Sequence, residues 1–261
     1  MGLTNQQSRE IKQLLREQIR HKLSNYSPET TNMPFHVRLL GKDRMALFSF
    51  IQSINTTLGM SVFEQVAVII ATPNFRRAIR QYKDFNNTIS EGAQAIIQRI
   101  LDDLRSGRKK PDKLTEIADI LRAAQGEQIK KVKRPGIDLF LESKQGVEYY
   151  FDIKTAKANL GGIVGLKREI LEWVAIRGVV NPTPNIFTGL AIPYNPYEPR
   201  PYDRWTFQGI FDLTNELKVA EEFWDFLGGE NTYENLLGVF EEVGIELRPE
   251  IDIKFKTFAN K

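Results

Sequence analysis

The chain has 261 residues, with 36 Lys/Arg, 33 Asp/Glu, two His, no Cys and a formal net charge of +3. A hydrophobic share of 41% supports a substantial globular core, while the lack of cysteine excludes disulfides and thiolate metal sites and two histidines argue against a histidine-built zinc centre. The amino terminus is polar, and the longest apolar run, residues 66–71, is far too short for a membrane span, so a cytoplasmic protein is expected.

In chain order, Ile11, Leu14, Leu15, Ile19 and Leu23 recur at helical spacing and predict an amphipathic helix over 5–23, with Lys12, Arg16, Arg20 and Lys22 on its outer face. Pro28 and Pro34 mark a loop. Helical patterns then cover 42–58 and 62–71, separated at Gly59 and ended before Pro73. Ser61-Val62-Phe63-Glu64 has the form of a capping box opening the second. Amphipathic helices are expected over 90–105 and 112–124, followed by the basic run Lys130-Lys131-Val132-Lys133-Arg134. Beyond residue 135 come a hairpin, a helix over 166–176, and an apolar run over 185–193 that reads as a buried central strand. Acidic amphipathic helices over 216–227 and 233–242, broken at Gly228-Gly229, close the chain. The pattern is that of an α/β protein with a mixed central β-sheet flanked by helices.

Charge is uneven along the chain: 23 Lys/Arg against 13 Asp/Glu in residues 1–135, and 13 against 20 in residues 136–261. Either the amino-terminal half approaches an anionic partner such as nucleic acid, or its helices carry basic solvated faces.

The hairpin carries the chemistry. Two strand-like runs, Ile137-Asp138-Leu139-Phe140-Leu141-Glu142 and Tyr149-Tyr150-Phe151-Asp152-Ile153, flank Lys144-Gln145-Gly146. A three-residue loop makes Ser143 face Val147 and sets Asp138 opposite Asp152 on one face, with Cβ atoms roughly 4.5–5.5 Å apart. A two-residue loop would shift the register and part them. Ile137, Leu139, Leu141, Val147, Tyr149, Phe151 and Ile153 fall on the opposite face, as in a strand pair with one buried face. Lys154 follows Asp152 at the strand period of two. Paired carboxylates at that separation can share a hard cation such as Mg²⁺, with the Ile153 carbonyl as a third protein oxygen. A lysine beside them suits metal-assisted phosphodiester hydrolysis, orienting the attacking water and stabilising developing charge; the alternative is a plain Lys154–Asp152 ion pair. Glu64 is open between the capping box and a helix-borne acid that completes the cation site.

Asp138 followed by Phe151-Asp152-Ile153-Lys154-Thr155-Ala156-Lys157 resembles the PD-(D/E)XK nuclease signature. The segments 34–44, 138–143, 152–157, 191–199 and 215–229 resemble the TdeIII-type family of type II restriction endonucleases, so that the likeness spans nearly the whole chain. One departure is that Gly136-Ile137 precedes Asp138, so the Pro-Asp dipeptide is missing; that proline has no chemical role. The resemblance implies a PD-(D/E)XK core with helical amino- and carboxy-terminal additions. As one restriction endonuclease domain over 1–261, the chain would divide into a mainly helical part at 1–127, a catalytic sheet core at 128–210 and an acidic helical part at 211–261. It further implies a homodimer that cuts both strands of a short palindromic site in double-stranded DNA, leaving 5′-phosphate and 3′-hydroxyl ends. The site would be a GC-containing interrupted palindrome of the GGNCC kind, and a cognate DNA methyltransferase would protect the host. Mg²⁺ is the implied cofactor, with Mn²⁺ substituting and Ca²⁺ binding without supporting cleavage. Asp138, Asp152 and Lys154 match the motif, and Glu64 sits on a helix ahead of the core where such nucleases often carry an accessory acid.

For DNA contacts, Thr155, Lys157 and Asn159 lie just past the motif, Lys157 being either a phosphate clamp or a solvated lysine. Residues 194–205 mix prolines, aromatics and arginines. Arg200 and Arg204, with Tyr202 between them, either read bases, stiffen a packed loop or join a dimer interface. Arg38, Lys42 and Arg44 surround a helix start, where cations oppose the helix dipole and so point to a partner. Two other readings stay open: a structure-specific repair or recombination nuclease, and a non-catalytic nucleic-acid-binding module.

Overall fold

The computed structural model describes residues 2–26, 33–83, 87–126, 128–133, 136–154, 160–203 and 206–259. The chain forms two compact units, one of residues 1–70 and 228–261, the other of residues 71–227. Among the described residues no helix is long and apolar enough to cross a membrane.

The first unit is helical. It contains α1 (Asn5–Asn25), α2 (Pro34–Leu40), α3 (Lys42–Thr57), a π-helical turn (Leu58–Val62), α4 (Phe63–Ala71) and, from the far end of the chain, a long helix Thr232–Ala259, α9 below. Thr4 and Gln7 close a reciprocal capping box that starts α1. Ile11 and Leu15 are buried, and Phe50 of α3 packs edge-on between Tyr26 and Phe255. The basic face of α1 meets an acidic face of α9: Lys12 pairs with Glu242, Arg16 with Glu246 at 2.7 Å and Arg20 with Glu250 at 2.8 Å.

Several expectations are corrected in this unit. Residues 34–40, expected within a loop, form α2, since proline is well placed at the first turn of a helix. Gly59 does not separate two helices, because the π-helical turn carries the chain from α3 into α4. Ser61 lies inside that turn and accepts from the Gln65 side chain at 2.9 Å, so it opens no helix and the capping-box reading of Glu64 fails. The helix expected over 233–242 runs on to Ala259 through Pro249.

The second unit is built on a five-stranded sheet. Its strands are β1 (Arg77–Tyr82), β4 (Ile137–Glu142), β5 (Glu148–Ile153), β6 (Ile186–Ile192) and β7 (Leu217–Val219), in the order β1-β4-β5-β6-β7. A small ribbon of β2 (Thr88–Ser90) and β3 (Ile129–Lys131) lies apart from it in the pairing. The helices are α5 (Glu91–Arg105), α6 (Lys113–Ala124), α7 (Leu160–Val180) and α8 (Glu221–Gly228). The first two pairs of the sheet are antiparallel and the last two parallel, so the mixed α/β architecture is as expected. A parallel pair needs a crossover, and α7 supplies it between β5 and β6. α7 is apolar almost all round and is accordingly buried at Ile163, Ile170, Leu171, Trp173, Val174, Ala175 and Ile176.

Both faces of the sheet are covered, which corrects the expectation of one buried face. On one, Phe140 stacks on Tyr82 at 4.4 Å and Tyr150 meets Trp173 of α7. On the other, Phe151 and Tyr149 pack on Phe223 and Phe226 of α8. Strand β1 escaped notice in the sequence because its pattern, Arg-Ala-Ile-Arg-Gln-Tyr, suits an edge strand rather than an apolar run. Residues 217–219, expected in a helix, form β7, since Leu217 pairs with Leu190 and extends the parallel sheet. The unit that holds the sheet spans Ala71–Leu227, since β1 pairs with β4 and α5 and α6 join its core.

Candidate active site

The hairpin has the register required to bring the two aspartates together. Leu139 pairs with Phe151, Phe140 with Tyr150, Leu141 with Tyr149 and Glu142 with Glu148. Ser143 N donates to Val147 O at 2.9 Å, and Gly146 takes a φ of 80° in the three-residue loop. Glycine is the residue suited to that left-handed position. Continued one step beyond the Leu139–Phe151 pair, the same register sets Asp138 against Asp152.

At that step the Asp138 carboxylate replaces the main chain as acceptor: Oδ2 takes the Ile153 amide at 2.9 Å. Its Oδ1 accepts from Nε2 of Gln81, on β1, at 3.2 Å. Asp152 is 5% exposed. Its Oδ1 lies 2.6 Å from Lys154 Nζ, whereas its buried Oδ2 has no hydrogen-bond donor among the described residues. Burial pushes the Asp152 carboxyl well above the usual carboxylate range, the neighbouring Asp138 carboxylate pushes the same way, and Lys154 opposes both. Burial would lower the Lys154 ammonium, but Asp152, Asp138 and Glu169 outweigh it and hold its pKa above the ordinary lysine value.

A buried carboxylate oxygen without a donor, next to a second carboxylate, is an arrangement a cation would relieve. The available donors are all hard oxygens, which fits Mg²⁺ rather than a soft or imidazole-bound metal. Among the described residues no group of three or more His, Cys, Asp or Glu is placed to hold a metal. Mg²⁺ tolerates so sparse a protein set because it retains several waters.

Sequence reasoning missed two residues here. Gln81 sits on a strand it did not anticipate. Glu169, on α7, is raised by burial and feels both Lys154 and Asp138 electrostatically. Nothing local marks either one; only the sheet pairing and the crossover helix bring them to the site.

The other candidates are placed as follows. Glu64 is buried on α4 in the helical unit. Arg38, Lys42 and Arg44 are exposed in that same unit, and α3 does begin at Lys42. Arg200 is exposed in a turn after β6, its carbonyl accepting from Asn195 Nδ2 at 2.7 Å. Tyr202 is half-buried between Tyr197 and Phe207. Thr155, Lys157, Asn159 and Arg204 lie outside the described residues.

A mixed sheet with helices on both faces, bearing an acidic pair and a lysine at the ends of adjacent strands, has the architecture of a restriction endonuclease-like protein. The family model described as type II restriction endonuclease, HinfI, matches residues 3–244, and the chain belongs to that family. Its activity is that of the class, site-specific cleavage of double-stranded DNA. The class expected from the resemblance is thus found, under the HinfI family rather than under the narrower TdeIII-type label. Relatives include the type II restriction enzyme HgiCII of Herpetosiphon aurantiacus, 29% identical over 224 residues that cover 85% of this chain and 81% of the relative. HgiEI of the same organism is 26% identical over 235 residues, covering 89% and 84%. The type II restriction enzyme MjaII of Methanocaldococcus jannaschii is 28% identical over 261 residues, covering 89% of this chain and 67% of the relative.

Proposed function

We propose that this enzyme hydrolyses phosphodiester bonds in both strands of a short palindromic DNA site with Mg²⁺ as cofactor, leaving 5′-phosphate and 3′-hydroxyl ends. The observation that carries the reading is the convergence of Asp138, Asp152 and Lys154 at the end of one strand pair, with a buried Asp152 oxygen that has no donor among the described residues. Asp138, Asp152 and the Ile153 carbonyl would hold the cation, which supplies charge neutralisation at the phosphate and acidifies water. Lys154 orients the attacking water and stabilises the charge that develops on the phosphate oxygens. Water oxygen bonds to phosphorus, the bond from phosphorus to the 3′ oxygen breaks, and that oxygen takes up a proton. Glu64, buried on its helix, is the candidate accessory acid.

Arg38, Lys42 and Arg44 are proposed as backbone contacts, Thr155, Lys157 and Asn159 as contacts near the scissile phosphate, and Arg200, Tyr202 and Arg204 as contacts within the recognition loop. A palindromic target is matched by a two-fold homodimer, and a host carrying such an enzyme in its cytoplasm needs a cognate methyltransferase. Mn²⁺ should replace Mg²⁺, and Ca²⁺ should support binding without cleavage.

Incubation with phage DNA and Mg²⁺ tests this directly. Discrete fragments ending in 5′-phosphates are expected from the wild type, none from Asp138→Asn or Asp152→Asn, and far slower fragmentation from Lys154→Met. Cutting confined to flaps or junctions would instead indicate a structure-specific nuclease. Binding without cutting in both Mg²⁺ and Mn²⁺ would reduce the chain to a binding module.

A further inference from the structure

The Asp138 carboxylate is gripped from two sides, and one of the two donors is a side chain on the edge strand. Oδ2 accepts the Ile153 amide from β5, and Oδ1 accepts Nε2 of Gln81 from β1. Each oxygen keeps a second lone pair, so the carboxylate plane is fixed in position and rotation while remaining open to another partner. The donor is also electrically neutral. A lysine or arginine there would draw Asp138 into an ion pair and compete with a cation, whereas an amide orients the group and leaves its charge intact.

The backbone at Gln81 departs from the strand around it. Its φ is 49°, in the left-handed region that residues other than glycine seldom enter. The antiparallel register nevertheless continues on both sides, with Arg80 opposite Leu139 and Tyr82 opposite Ile137. The distortion is therefore confined to the one residue facing Asp138. Strain held at a single position beside a functional group is a mark of function rather than of strand pairing.

We infer that Gln81 is a positioning residue for Asp138, setting the orientation in which that carboxylate receives the divalent cation. The inference rests on the proposed role of Asp138 in holding that cation.

The test is Mn²⁺ binding to the full-length chain by titration calorimetry, beside cleavage rate as a function of Mg²⁺ concentration. Gln81→Met removes the donor at nearly constant size. Gln81→Gly removes it while suiting the left-handed backbone, so this variant is expected to fold at least as well as the wild type. Both should weaken Mn²⁺ affinity by about tenfold and raise the Mg²⁺ concentration for half-maximal cleavage by the same factor, the usual scale for losing a group that orients a metal ligand. Excess Mg²⁺ should restore much of the rate. Wild-type Mn²⁺ affinity in either variant, at an unchanged or raised melting temperature, overturns the inference. Asp138→Asn separates the two levels of the argument. If it loses Mn²⁺ binding and cleavage while the Gln81 variants behave as wild type, only the positioning role falls. If Asp138→Asn itself binds Mn²⁺ and cuts normally, the reading of the site falls with it.

Discussion

At the scale of single residues, the site opposes stability to chemistry. Asp152 is buried, and among the described residues one of its oxygens has no donor and Lys154 is the cation paired with the other. Replacing Asp152 with asparagine removes a buried charge that Lys154 offsets at one oxygen and the neighbouring Asp138 carboxylate opposes, so Asp152→Asn should melt no lower than the wild type while losing cleavage, a divergence that thermal melting and a plasmid-nicking assay would register together. For Lys154→Met, loss of one preorganised positive charge should lower kcat by about 10²–10³-fold with little change in DNA affinity; a residual rate within a few-fold of wild type would reduce Lys154 to a local ion-pair partner. Gly146 governs register rather than chemistry. An alanine at its φ of 80° carries a penalty of about 1–2 kcal/mol, measurable by urea unfolding.

At the scale of elements, the sheet unit contains a buried box of charges. Lys167 of α7 lies 2.6 Å from both Glu116 of α6 and Glu216 ahead of β7, and Lys113 of α6 lies 3.0 Å from Glu216. All four side chains are buried. The box ties the crossover helix to α6 and to the strand that closes the sheet, and Gly189 permits the close approach, because a Cβ there would lie 2.3 Å from the Glu216 carbonyl oxygen. Lys167→Met alone takes the lysine from Glu116 and leaves Glu216 to Lys113, and should cost about 3–5 kcal/mol in urea unfolding, whereas replacing all four residues with apolar ones of matched size should recover most of that loss. The α1–α9 contact in the helical unit is of a different kind, being exposed. Hydrogen bonds from Arg16 and Arg20 hold the Glu246 and Glu250 carboxyls below their ordinary range. Groups depressed in the folded state add stability above their unfolded pKa of about 4.3 and lose it as the pH falls through the lower folded values. The melting-temperature gap between wild type and an Arg16→Gln, Arg20→Gln double variant should therefore be widest near neutral pH, close below pH ~4 as those carboxyls protonate, and shrink in 1 M salt, where the screening length is about 3 Å.

At the scale of the whole molecule, the opposed charges of the two chain halves acquire a partly internal explanation. Lys12, Arg16 and Arg20 from the basic half face Glu242, Glu246 and Glu250 from the acidic half, so this portion of the amino-terminal excess is spent within the chain. Arg38, Lys42 and Arg44 are not involved in those pairs and stay exposed, which leaves them as the cations to test against DNA. Affinity for duplex DNA should fall steeply with salt. Each of Arg38→Gln, Lys42→Gln and Arg44→Gln that removes a phosphate contact should reduce the slope of log K against log salt by about 1. Unchanged slopes in all three would place the phosphate contacts elsewhere.

The amino-acid sequence by itself determined the hairpin and its register. Alternating residues, a glycine suited to a left-handed turn and a loop of three positions dictate register locally, and register places Asp138 beside Asp152. Long amphipathic helices and the apolar run of β6 were legible for the same reason: their periodicity is a property of neighbouring residues. Only the tertiary structure decided the rest. Strands β1 and β7 exist because of the strands they pair with, not because of their own patterns, and β1 is what delivers Gln81 to Asp138 from 57 positions away. Glu169 reaches the site through a crossover helix, and the buried box assembles from α6, α7 and the approach to β7. Contacts of that kind depend on chain segments that meet only after the sheet has closed, and no local spacing encodes them.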